Sequence, residues 1–163
     1  MDLWRIIHLP RSILNDYNDK FKETLVPWIG RTAKMMWIHL KNKLNEAGLD
    51  LTPKQLITLK HLVLDDGKEQ KYLANITGRD KTSLTRLITT MEKKGLVTRR
   101  TSESDKRVNL LFITDKGRAV FTEALPVIES AITDVQSGIE QQELEAAIET
   151  IEKVHNNVKE LIS

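Results

Sequence analysis

Between Thr52 and Gly95 the sequence calls for three helical runs in quick succession, each opened by a start signal and each followed by a glycine. In "LTPKQLITLKHLVLDDG", Thr52 and Gln55 stand at capping-box spacing and Pro53 takes the first helical position. Leu56, Leu59 and Val63 form one apolar face, and Gly67 is expected to close the helix. A shorter run, "QKYLANITG", brings Leu73, Ala74 and Ile76 up to Gly78. The third run, "RDKTSLTRLITTMEKKG", has Asp80 as its N-cap. Its Leu84, Leu87, Ile88 and Met91 recur at helical spacing before Gly95 stops it. Two short helices joined by a tight glycine-containing turn, the second with a polar outer face, make a helix-turn-helix.

The next stretch, "LVTRRTSESDKRVNLLFIT", reads as strand, loop, strand. In its second strand Val108, Leu110 and Phe112 share one face and Asn109, Leu111 and Ile113 the other. One face is expected to cover the helices, and part of the other to meet something as well. A hairpin needs only a few turn residues, yet Arg99, Arg100, Lys106 and Arg107 crowd this one.

That charge belongs to a larger asymmetry. Residues 52–118 hold 15 basic and 8 acidic residues, a net of +7, whereas residues 119–163 hold 2 basic and 9 acidic, a net of −7. A basic middle block is the footprint of a polyanion partner, although lysines that merely solvate a surface leave the same mark. The outer face of the third helix favours the polyanion. With Leu84, Ile88 and Met91 inward, Thr82, Arg86, Thr89 and Lys93 face outward, flanked by Lys81, Ser83 and Thr85, with no acid before Glu92. Short hydroxyls and cations can approach phosphates and reach base edges in a major groove, and Arg86 suits either contact. Thr82, Ser83 and Thr85 also suit ordinary first-turn capping.

Other function classes lose support. The chain has no cysteine, which removes disulfides, thiolate metal sites and thiol redox switches. "MDLWRIIHLPRS" lacks the apolar core of a signal peptide, and no apolar run reaches membrane-span length, so a cytoplasmic protein without a membrane partner is expected. No phosphate-binding glycine loop, G-x-S-x-G or paired nucleophile and base stands in the sequence, so no catalytic residue and no cofactor is expected.

On either side lie further helices. Residues 12–25 suit a short helix, and Pro27 suits the first position of a longer one carrying Ala33, Met36, Trp37, Leu40, Leu44 and Ala47 up to Gly48. Val120, Ala124, Val127, Ile128, Ala131, Ile132 and Val135 follow a helical period, with Pro126 a potential kink. After Ser137 and Gly138, Leu144, Ile148, Ile151, Val158 and Leu161 continue the pattern. The expected fold is therefore mainly α with a small β-hairpin.

"LTPKQLITLKHLV", "LANITGRDKTSLTRLITTMEKKGLVTRR" and "SDKRVNLLFITDKG", in this order and spacing, resemble the MarR family of winged helix-turn-helix transcriptional regulators. The motifs span residues 51–117. The resemblance implies three regions: dimerisation helices in 1–51, a winged helix-turn-helix domain in 52–118, and further dimerisation helices in 119–163. It also implies a repressor that binds a palindromic duplex as a homodimer. Its DNA-contacting residues would be Lys81, Thr82, Ser83, Thr85, Arg86 and Thr89 on the recognition helix, with Arg99, Arg100, Asp105, Lys106 and Arg107 on the wing.

In the family the wing inserts an arginine, here Arg107, into the minor groove, oriented by an aspartate, here Asp105. A narrow groove attracts such an arginine electrostatically. Asp105 is also a common kind of turn former. Arg99, Arg100 and, more loosely, Lys106 would track phosphates. The dimer would cover Phe21, Trp28 and Trp37, which a monomer can hide only by packing its outer helices on one another. The resemblance further implies release by a small aromatic or anionic effector, with Met36, Trp37, His39 and His61 as candidate lining residues. These are also ordinary core types. Zinc-binding relatives raise His39, His61 and His155, but no short-spaced ligand pair supports a metal site. A winged-helix protein–protein module and a metal-responsive regulator are the competing readings.

Overall fold

The computed structural model describes residues 11–78 and 80–162. The N-terminal stretch through Pro10, where a signal peptide was sought in the sequence, lies outside them. The described residues form α1 (Arg11–Lys22), α2 (Leu25–Glu46), α3 (Pro53–Leu64), β1 (Lys68–Glu69), α4 (Gln70–Thr77), α5 (Lys81–Lys93), β2 (Val97–Thr101), β3 (Asn109–Ile113), α6 (Asp115–Val135) and α7 (Gln141–Ile162). This is the mainly α architecture expected, with a winged helix-turn-helix at its centre.

Local signals start the helices. Thr52 Oγ1 accepts the Gln55 N–H at 3.3 Å and Gln55 Oε1 accepts the Thr52 N–H at 3.0 Å, so the capping box closes both ways. Asp80 caps α5 through Oδ1, which accepts the Ser83 N–H at 2.9 Å. Thr114 caps α6 by accepting the Gly117 N–H at 2.9 Å, and its hydroxyl donates to the Gly95 carbonyl at 2.6 Å. That double use of one side chain stitches the start of α6 to the turn after α5.

Three boundaries differ from the sequence reading: the first helix, expected over 12–25, ends at Lys22, and Leu25 already belongs to α2. Pro27 is the third residue of α2, not the first: the helix begins at Leu25 behind Thr24. The first-turn N–H groups have no partner inside a helix, so a proline is as welcome there as at the very start. α3 ends at Leu64, before Gly67, because Asp65 is already extended. Gly67 instead presses against the sheet. It has a φ of +69°, and a Cβ there would lie 3.0 Å from the Phe112 ring.

The sheet has three strands, not two, in the order β1-β3-β2 and antiparallel throughout. Lys68 pairs with Leu111 and Glu69 with Leu110, while Val97 through Thr101 pair with Ile113 through Asn109. A two-residue strand between α3 and α4 has no room to display a period of two, so it was invisible as a pattern.

One core holds the domain together: Leu44 from α2; Leu56, Leu59 and Leu62 from α3; Leu73 from α4; Leu84, Leu87, Ile88 and Met91 from α5; Leu111 and Ile113 from β3; and Ala124 from α6. Each fully buried Leu or Ile contributes roughly 1.5–3 kcal/mol relative to exposure. Leu111 and Ile113 face this core, while Leu110 and Phe112 are half-buried on the other side of the sheet. There the Arg100 guanidinium lies 4.8 Å from the centre of the Phe112 ring, so the outer face is met by the wing's own arginine.

α2 and α6 pack together and are joined by charge. Asp134 Oδ2 receives Lys43 Nζ at 2.7 Å and meets His39 Nε2 at 3.0 Å. α7 is different: none of its residues is buried, and Ile148, Ile151, Val158, Leu161 and Ile162 are all exposed. Among the described residues no helix is long and apolar enough to cross a membrane.

Candidate nucleic-acid interface

α5 presents Lys81, Thr82, Arg86, Thr89 and Lys93 to solvent on the side opposite Leu84, Ile88 and Met91. The other two hydroxyls named from the sequence are occupied within the fold. Ser83 Oγ donates to Asp80 Oδ2 at 2.8 Å as part of the cap. Thr85 is half-buried, donates to the Lys81 carbonyl at 2.8 Å and accepts Gln70 Nε2 at 3.3 Å, bridging α4 and α5. The two hydrogen bonds from Ser83 hold the Asp80 carboxyl below its ordinary range, so the cap stays anionic at neutral pH.

The wing divides its charged residues. Arg100, Lys106 and Arg107 are exposed, with Lys106 and Arg107 in the turn between β2 and β3. Arg99, on the other face of β2, turns inward: Nη2 donates to Glu92 Oε2 of α5 at 3.0 Å, and Nε is buried without a hydrogen-bond partner. Asp105 Oδ1 accepts the backbone N–H of Arg107 at 2.9 Å. Its contact is thus with the main chain of Arg107, and among the described residues it forms no ion pair with the guanidinium. The serines matter to this turn. Ser102 is buried, its hydroxyl lies 2.9 Å from that of Ser104, and its main chain bonds Val108 across the hairpin at 2.9 Å.

Between α4, α5 and the wing lies a cleft of about 530 Å³, lined among others by Lys71, Lys81, Thr85, Arg99, Arg107 and Asn109. The cleft brings Lys81, Arg99 and Arg107, named from the sequence, together with Gln70, Lys71 and Asn109, which the sequence reading did not single out. The signal was present in Gln70 and Lys71, which open a helix directly before the turn of the helix-turn-helix.

The proposed effector residues separate. Met36, Trp37 and His39 line an apolar hollow of about 210 Å³ between α2 and α6. Trp37 also borders a second hollow of about 420 Å³, with Leu40, Leu56, Lys60, Phe121 and Ile128, between α2, α3 and α6. His61 lines neither. It meets Tyr72 edge-on, with ring centres 6.0 Å apart and the phenol oxygen 3.5 Å from Nδ1. Desolvation, then Lys60 and Lys68, lower its pKa. Helical phase accounts for the split, since His61 follows the buried face of α3 on the side that meets α4. Nor do the histidines gather: among the described residues no group of three or more His, Cys, Asp or Glu is placed to hold a metal ion.

The model of the MarR family, MarR_2, matches residues 49–108, the span from the approach to α3 through the wing. Over these 60 residues the chain is similar to the MarR family. Solved structures extend the likeness to most of the chain. The transcriptional repressor CouR, bound to a 23-mer DNA duplex, is 23% identical over 83% of this chain and 95% of its own, with a TM-score of 0.74. The transcriptional regulator BldR from Sulfolobus solfataricus is 25% identical over 86% and 97%, with a TM-score of 0.73. A SlyA-like transcription regulator from Listeria monocytogenes is 24% identical over 83% and 89%, also at 0.73. The likeness in fold is thus to winged-helix transcriptional regulators, and it extends beyond the span that the family model matches.

Proposed function

We propose that the chain binds a palindromic operator as a homodimer, represses transcription from it and is released by a small aromatic or anionic effector. The observation that carries this reading is the outer face of α5. Lys81, Thr82, Arg86 and Thr89 are exposed without an intervening acid, beside a wing tip with Lys106 and Arg107. α5 would enter the major groove with Arg86 at a base edge or phosphate, Arg107 would reach the minor groove, and Arg100 and Lys106 would follow the backbone. CouR, a similar fold bound to a duplex, supports the same direction.

Homodimerisation draws its support from the exposed apolar residues of α1, α2 and α7: Tyr17, Phe21, Trp28, Ile148, Ile151 and Leu161 among them. Large contiguous exposed apolar faces mark interaction surfaces on soluble proteins. A two-fold dimer would present two α5 helices to half-sites roughly 34–36 Å apart. The hollows around Trp37, between the dimerisation helices and the winged domain, would take the effector.

The test is a mobility-shift series on the DNA flanking the protein's own gene, across salt concentrations and with candidate phenolic carboxylates. Wild type is expected to bind a palindromic duplex with affinity falling steeply as salt rises, and Arg86→Ala and Arg107→Ala to weaken it. Reporter output from that promoter should rise when the gene is deleted. If no duplex binds at low salt, the wing and α5 serve an acidic protein partner instead.

A further inference from the structure

Arg99 is in the wrong place for a residue that only skims a DNA backbone. Its guanidinium is tucked beneath the wing, with one nitrogen engaged by Glu92 and Nε buried without a partner. A buried donor left unpaired is costly, and arginine is the side chain best shaped to share its donors between a carboxylate and a second oxyanion. Arg99 also lines the cleft into which Lys71 of α4, Lys81 of α5 and Arg107 of the wing converge, against a single acid, Glu69. Gln70 and Asn109 add neutral amides to the same walls.

We infer that this cleft is an oxyanion site that takes a phosphate group, held by Lys71, Lys81 and Arg107 with Arg99 beneath. Four cations from three separate elements meet at one hollow, which an ordinary solvated surface has no reason to arrange. Its volume of about 530 Å³ falls in the range of small-molecule sites, so a phosphate bearing an organic group fits as well as a phosphate on a nucleic-acid backbone. Because Arg107 belongs both to this cleft and to the wing tip, a free phosphate in the cleft and a duplex on the wing exclude one another. The inference deepens the DNA-binding reading and rests on it only for the second of these two sources.

The experiment uses the full-length, 15N-labelled protein and follows the Arg99 Nε–H signal, identified by its disappearance in Arg99→Lys. Inorganic phosphate is titrated against sodium chloride at matched ionic strength, without DNA. The expected result is a saturable shift of the Nε–H with phosphate that chloride does not produce, weakened severalfold in Lys71→Gln, a change at an exposed position that leaves the core alone. A second arm adds the palindromic duplex. If free phosphate has no effect but the duplex moves the Nε–H, and Arg99→Gln lowers the salt slope of duplex binding by about one, the site stands with the DNA backbone as its source. If neither phosphate nor duplex moves the signal, the inference is overturned. A protein that binds no duplex at all overturns the DNA reading, while the phosphate arm still decides the cleft.

Discussion

Glu92 on α5 and Arg99 on β2 are joined by a 3.0 Å ion pair, the single one that ties the recognition helix to the wing among the described residues. Both side chains are about two-thirds or more covered, at 27% and 33% exposure, so water screens the pair less than a surface bridge. Glu92→Gln leaves Arg99 partly buried without its counter-charge. Urea unfolding should show a loss of about 1–2 kcal/mol. Duplex affinity should fall as well, because the angle between α5 and the wing is no longer held.

Asp105 touches the main chain of Arg107, which makes two substitutions distinguishable. Asparagine retains an oxygen able to accept the Arg107 N–H, whereas alanine does not. Asp105→Asn should keep wild-type duplex affinity and Asp105→Ala should lose part of it, measured by fluorescence anisotropy. Equal losses in both variants would mean that the carboxylate's charge, acting on the guanidinium, is what counts.

Replacing a glycine inside a helix by alanine ordinarily stabilises by up to about 1 kcal/mol. At Gly117 the sign is reversed. A Cβ there would stand 2.2 Å from the Leu96 carbonyl oxygen and 2.8 Å from Ile113 Cγ1, and the first of these is backbone that cannot rotate away. Gly117→Ala should therefore lower the thermal midpoint, by an amount corresponding to about 2–3 kcal/mol of overpacking.

The Asp134 carboxyl is held below the usual range, first by its hydrogen bond from Lys43 and then by that with His39. A carboxyl with a depressed folded pKa is stabilising above its unfolded value near 4, and that contribution is lost as pH falls through the folded value. Thermal midpoints measured from about pH 6 down to pH 2 should decline less steeply in Asp134→Asn than in wild type. The divergence should be confined to the acid side of that window.

What could be read in advance was whatever the chain encodes within a few residues. The Thr52–Gln55 box, the Asp80 cap and the apolar face of Leu84, Leu87, Ile88 and Met91 all depend on spacing along one helix, and all stand where expected. What escaped depends on distant partners or on too short a signal. β1 is two residues long and exists because β3 offers it an edge. Arg99 looked the equal of Arg100, its neighbour, until the alternation of β2 sent one toward Glu92 and the other over Phe112. The family resemblance alone groups His61 and Trp37 in one pocket, yet helical phase turns them to different neighbours.

Asp66 sits where three parts of the molecule meet. Oδ1 accepts the N–H groups of Gly67 at 3.0 Å and Ile113 at 2.9 Å, and Oδ2 accepts the Arg118 guanidinium at 3.0 Å. It clamps β3 at the end where the strand runs into α6. Arg107 lies six residues further along the hairpin, a reach of roughly 20 Å in extended chain. One carboxylate therefore fixes where the wing is rooted relative to the first turn of α6, and Arg107 stands at the far end of the strand it anchors.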